Sequence, residues 1–139
     1  MAIPMVDLKR ELEFLHSSVQ PAMETVLQHG RFINGPEVSQ LEEELRVYTG
    51  TSAAIGCGNG TDALQIALMA IGLEPGDEVI TTPFTFAATV EVISLLKARP
   101  VFVDIDPRTY LLDVKQVESH ISDRTRAIIP VTFLDKWSI

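Results

Sequence analysis

Along the first fifty positions, apolar residues recur at helical spacing. Leu8, Leu12, Leu15, Val19, Met23, Val26 and Leu27 predict a helix from Leu8 to about Leu27. Pro21 interrupts it, because its ring removes an amide and crowds the preceding turn. The stretch GRFINGP, Gly30 to Pro36, is turn chemistry. After it, Val38, Leu41, Leu45 and Tyr48 predict a second helix over Glu37 to Tyr48.

Past Gly50 the period changes. Short apolar runs at Ala53 to Cys57, Glu78 to Thr82, Val101 to Asp104 and Ala127 to Val131 read as strands. Between them, Asp62 to Ile71, Ala87 to Leu96 and Val114 to Ile121 read as helices. Strand, helix, strand, repeated with connections this long, implies crossovers and a mostly parallel sheet flanked by helices, an α/β fold. Ligands of such sheets sit beyond the carboxyl ends of the strands. Two of those ends stand out: the loop after Cys57, and TTPFTFAAT after Ile80.

Composition narrows the classes. With 139 residues, 46% of them hydrophobic, the chain has the length of one ordinary domain and can bury a core. The net charge is −8 with no basic cluster against it, which argues against nucleic acid and against an anionic membrane surface. One cysteine, Cys57, excludes an internal disulfide, supplies no metal spacing and suits reducing surroundings. The opening MAIPMVDLKRELEFLH carries Asp7, Lys9, Arg10 and Glu11, so it has neither a signal-peptide core nor a membrane span, and a cytoplasmic location is expected. No metal site is expected: His16, His29 and His120 are scattered, and Asp104-Ile105-Asp106, just before Pro107, suits turn capping.

The loop GCGNGTDALQIALMAIG, Gly56 to Gly72, places glycines and a Thr-Asp pair ahead of an apolar helical run. Gly58 and Gly60 accept positive φ and let backbone amides approach an anion. Thr61 or Asp62 then opens a helix whose first N–H groups lack partners and carry the positive end of the macrodipole, with the Thr61 hydroxyl as an extra donor. A tight turn capped by Thr61 uses the same residues, and spacing alone does not choose between a phosphate site and a plain cap. Gly58 to Ala63 also satisfies the loose dinucleotide fingerprint, but strand Glu78 to Thr82 runs into Pro83-Phe84 without the acidic residue that a ribose needs, which disfavours NAD. In the second loop, Phe84 and Phe86 stand at the mouth of the same sheet. Such residues serve either as core or as a stacking surface for a flat heterocycle.

At this point the residues resemble a family. "PMVDLKREL", "GRFINGPEVSQLEEEL", "GNGTDALQIALMAIGLEPGDEVITTPFTFAATVEVI", "ARPVFVDIDPRTYLLD" and "TRAIIPV" are similar, in order and spacing, to the DegT/DnrJ/EryC1/StrS sugar aminotransferases. Those are fold-type I enzymes that use pyridoxal 5'-phosphate (PLP). The resemblance implies that Gly60, Thr61 and Asp62 bind the PLP phosphate, chiefly through backbone amides and the Thr61 hydroxyl, and that Phe86 stacks on the pyridine ring. It implies an enzyme moving an amino group from glutamate to a nucleotide-linked keto sugar, for polysaccharide or natural-product biosynthesis, homodimeric when full-length. It also implies an N-terminal helical segment at 1–50, an incomplete large domain at 51–131 and an unrelated tail at 132–139.

The likeness is partial. The Schiff-base lysine and the carboxylate facing the pyridine nitrogen lie, in the family, downstream of the matched segment, and none of Lys9, Lys97, Lys115 and Lys136 matches the lysine motif. The expectation is therefore the opening portion of a large domain, truncated, with no catalytic residue of its own and inactive alone. The alternatives are a non-catalytic phosphate-binding or dimerising fragment, or an NAD-binding half domain.

Overall fold

The computed structural model describes residues 6–132. The chain divides into two units, Met1–Gly56 and Cys57–Ile139.

The first unit is two helices, α1 (Leu8–His29) and α2 (Pro36–Thr49). Asp7 caps α1, accepting the Arg10 N–H at 3.1 Å, and the helix runs unbroken through Pro21 before Gly30 ends it with φ 66°. Pro36 occupies the first turn of α2, where its missing N–H costs nothing. No residue of either helix is buried. The joint between them is polar: His29 Nδ1 accepts the Arg31 N–H at 3.0 Å, so Nε2 carries the proton and donates to Glu37 Oε1 at 2.9 Å. The contact with His29 holds the Glu37 carboxyl below its ordinary range.

The second unit holds the sheet. Its elements are α3 (Gly60–Ala70), β1 (Glu78–Thr81), α4 (Ala88–Leu95), β2 (Arg99–Phe102), α5 (Val114–Val117) with a 3₁₀ turn Glu118–His120, and β3 (Thr125–Ile128). The strand order is β2-β1-β3 with both pairings parallel, so the sheet is the α/β arrangement expected. All four residues of β1 are buried because it is central and its side chains alternate between two covered faces. Val79 enters a cluster with Leu68, Val92, Ile93 and Ala98; Ile80 enters another with Val103 and Leu112. At the amino end of the sheet, the buried Glu78 carboxylate accepts from Ser122 Oγ at 2.6 Å and faces Arg124 at 3.3 Å and Arg99 at 3.7 Å. The first residue of β2 and two residues just before β3 thus converge on the first side chain of β1.

Three expectations need correction. Ala53 to Cys57 is not a strand: a strand exists only through its ladder, and no described strand pairs with it. The apolar runs at Val101 to Asp104 and Ala127 to Val131 lie two residues late, since pairing begins with Arg99 N–H to Asp77 O and Glu78 N–H to Arg124 O, both 2.8 Å. Apolarity marks burial, whereas the ladder marks the strand. The helix expected over Val114 to Ile121 tightens after one turn, where Ser119 Oγ and His120 Nδ1 each lie 2.8 Å from the Gln116 carbonyl.

Candidate functional site

The cap of α3 is Asn59, two residues earlier than Thr61. Its backbone is extended, and its Oδ1 accepts the Asp62 N–H at 2.9 Å while its Nδ2 donates to Asp62 Oδ2 at 3.0 Å. This reciprocal pair commits one of the first-turn amides and the Asp62 carboxylate to the loop itself. The amides of Gly60 and Thr61 are left, as the geometry of any helix start dictates, without an intrahelical acceptor. Neither Gly58 nor Gly60 adopts positive φ, contrary to the conformational reason expected for them. At Gly58 a Cβ would come 2.8 Å from Asp62 Oδ2; at Gly60 it would meet nothing within 4 Å.

The second loop leaves β1 at Thr81, whose hydroxyl donates to the Ile129 carbonyl at 3.0 Å, and turns at Thr82, whose Oγ1 accepts the Phe84 N–H at 3.2 Å. The two phenylalanines part ways there. Phe84 packs against Tyr110, ring centroids 6.3 Å apart, whereas Phe86 is 76% exposed.

A cleft of about 510 Å³ joins the two loops at the carboxyl end of the sheet. Gly60 and Thr61 line it from α3, Thr85 and Phe86 from the loop after β1, Thr89 from α4, and Val131 and Thr132 from the segment after β3. Of the four residues singled out from sequence, the cleft brings together Gly60, Thr61 and Phe86. Asp62 is not among its lining residues, its amide and carboxylate being engaged by Asn59. Sequence reasoning did not single out Thr85, Thr89, Val131 or Thr132. The strand-end rule pointed to the loop that holds Thr85 and Thr89, whereas Val131 was placed inside a strand and Thr132 fell in the segment set aside as tail. Lys9, Lys97 and Lys115 are exposed, none of them lines the cleft, and Lys136 lies outside the described residues, as does the rest of the tail at 133–139.

The pair Asp104 and Asp106 caps turns: Asp104 Oδ1 accepts the Ile105 N–H at 2.7 Å, and Asp106 Oδ1 accepts the Arg108 and Thr109 amides at 2.8 and 3.2 Å. Those donors keep the Asp106 carboxyl below its usual range.

Comparison with known proteins finds that the model of the DegT/DnrJ/EryC1/StrS aminotransferase family matches residues 15–136. The chain belongs to that family. The match runs past Val131, where the likeness was read as ending. A curated relative, the UDP-2-acetamido-2-deoxy-3-oxo-D-glucuronate aminotransferase of Pseudomonas aeruginosa, is 51% identical over 130 residues, covering 94% of this chain and 36% of its own. The chain thus spans about a third of that curated relative's length. Among solved structures, a DegT DnrJ EryC1 StrS aminotransferase from Brucella abortus superposes with a TM-score of 0.93 at 40% identity, covering 99% of this chain and 39% of its own. NtdA from Bacillus subtilis, solved with bound cofactor PMP, gives 0.92 at 34% identity, covering 98% and 32%. At these identities the family fold is shared: a parallel sheet flanked by helices, of which this chain holds part. Among the described residues, no helix is long and apolar enough to cross a membrane.

Proposed function

We propose that this chain supplies the phosphate-binding and ring-stacking walls of a pyridoxal 5'-phosphate cleft, and that the whole protein transfers an amino group from glutamate to a nucleotide-linked keto sugar. One observation carries the reading: Gly60 and Thr61, at the start of α3, and Phe86, in the loop from β1 to α4, face a single cleft. The cofactor fits what is present. Its phosphate would take the Gly60 and Thr61 amides and the Thr61 hydroxyl at the positive end of α3, where the absent Cβ of Gly60 leaves the approach open. Its flat ring would lie on exposed Phe86. Bound there, the cofactor supplies an electron sink for moving an amino group.

This chain's own share is binding and orientation. Asn59 holds the Asp62 carboxylate to itself, which keeps a negative charge from turning toward the phosphate. A proton shuttle would require an amine at the cleft, and no lysine among the described residues lines it. The 139-residue chain is accordingly inactive by itself and binds the cofactor without a covalent link. The complete protein works as a homodimer in the cytoplasm. Support comes from the Pseudomonas aeruginosa relative, an aminotransferase of a UDP-sugar, and from the PMP bound in NtdA.

The test uses pyridoxine 5'-phosphate, which lacks the aldehyde that would label any surface lysine. Added to the isotopically labelled chain, it should shift the amide resonances of residues 60, 61 and 86 together. Shifts confined to other residues, or none, would refute the reading.

A further inference from the structure

Thr89 is an unusual choice for its place. It sits in the first turn of α4, 6% exposed, among neighbours whose burial is apolar: Ala88, Val92 and Ile93. A valine would fill the same volume. The hydroxyl is used, however, for a bond of 2.9 Å to Thr85 Oγ1, and both threonines line the cleft. The residue between them that matters is Phe86, whose ring, 76% exposed, has little packing to hold it.

We infer that the Thr85–Thr89 hydroxyl pair is a positioning device that aims Phe86 into the cleft, an inference that rests on the cofactor-binding reading above. The N-cap of α4, Ala87, makes no side-chain capping bond, so the helix entry is held by other bonds. Two of them end on Thr89: its N–H donates to the Phe86 carbonyl at 3.1 Å, and its Oγ1 pairs with the residue just before Phe86. Together they close the turn from 85 to 89 on both sides of the aromatic residue. Thr89 is itself stiff, because a β-branched side chain in a helix has few χ1 states. Swinging Phe86 away through the backbone would break one or both bonds and leave a buried hydroxyl unpaired. A ring ordered before the ligand arrives loses less freedom on stacking, and this is how preorganisation raises affinity.

The positioning role makes a separable prediction. In the full 139-residue chain, Thr89→Val keeps the shape and removes the hydroxyl, whereas Thr89→Ser keeps the hydroxyl. Three-bond couplings reporting χ1 of Phe86 should show one dominant rotamer in the wild type, averaging in Thr89→Val and recovery in Thr89→Ser. Affinity for pyridoxine 5'-phosphate should fall about threefold to tenfold in Thr89→Val, the worth of ordering one side chain, and return with serine. Affinity for inorganic phosphate, which needs no ring, should not move. Thr85→Val should behave as Thr89→Val does, and it decides the matter if the buried substitution prevents folding. An unchanged Phe86 rotamer in the valine variants, or a serine variant that restores nothing, overturns the inference. A wild-type chain that fixes Phe86 but binds no pyridoxine 5'-phosphate would instead overturn the cofactor reading, with the rotamer comparison still deciding the positioning role.

Discussion

At Gly60 a Cβ would meet no protein atom within 4 Å, and the backbone there is not left-handed, so neither packing nor strain accounts for a glycine. The remaining reason is the space in front of it, which belongs to the cleft. Gly60→Ala should therefore stabilise the fold slightly, by about 0.5 kcal/mol from reduced unfolded-state freedom, while weakening the binding of phosphate esters. Urea denaturation and a binding titration on the same sample check the two opposite signs. Asn59 is the converse case, a residue spent on the loop. Asn59→Ala removes the cap and should cost ~1 kcal/mol by the same denaturation assay. Sequence pointed to this stretch for an anion and also offered a plain cap. The structure places the cap at Asn59 instead of Thr61, and Gly60 and Thr61 line the cleft.

At the level of elements, what was legible was whatever leaves a periodic trace. α1, α2, α3 and α4 appear close to where the apolar spacing put them, and β1 does so because a central strand is apolar on both faces. The edge strands β2 and β3 were displaced, since their limits follow partners rather than hydrophobicity. Residues 53–57 show the extreme: an apolar run with no described partner is not a strand. Glu78 carried no periodic signal, yet it gathers Ser122, Arg99 and Arg124 at the amino end of the sheet. Glu78→Ala should cost about 1–3 kcal/mol, mainly through the lost charge-assisted bond to the Ser122 hydroxyl, read as a lower urea midpoint with the slope unchanged. In the helical unit, the depressed Glu37 carboxyl gives a sign for pH. A carboxyl whose folded pKa is lowered adds stability above its unfolded pKa and loses it as pH falls through the folded value. Acidification through and below the ordinary carboxylate range should therefore undo the joint between α1 and α2, seen at the Arg31 amide resonance, and Glu37→Gln should flatten that dependence.

On the scale of the whole molecule, the chain spans 36% of its Pseudomonas aeruginosa relative and carries one recognisable part of the family's fold. That part is chemically coherent. The carboxyl ends of a parallel sheet bring a helix start and an aromatic ring to one cleft, which suits a ligand with an anion at one end and a flat ring at the other. What the cleft lacks, among its described lining residues, is an amine. Binding is the property of this cleft to measure. Calorimetric titration with pyridoxine 5'-phosphate and with pyridoxine tests the central claim most directly. The account predicts saturable binding of the phosphate ester, weakened about tenfold by Thr61→Ala for a lost bond to a charged group, and no comparable binding of pyridoxine. Equal binding of both compounds, or binding indifferent to substitution at Thr61 and Phe86, would contradict it.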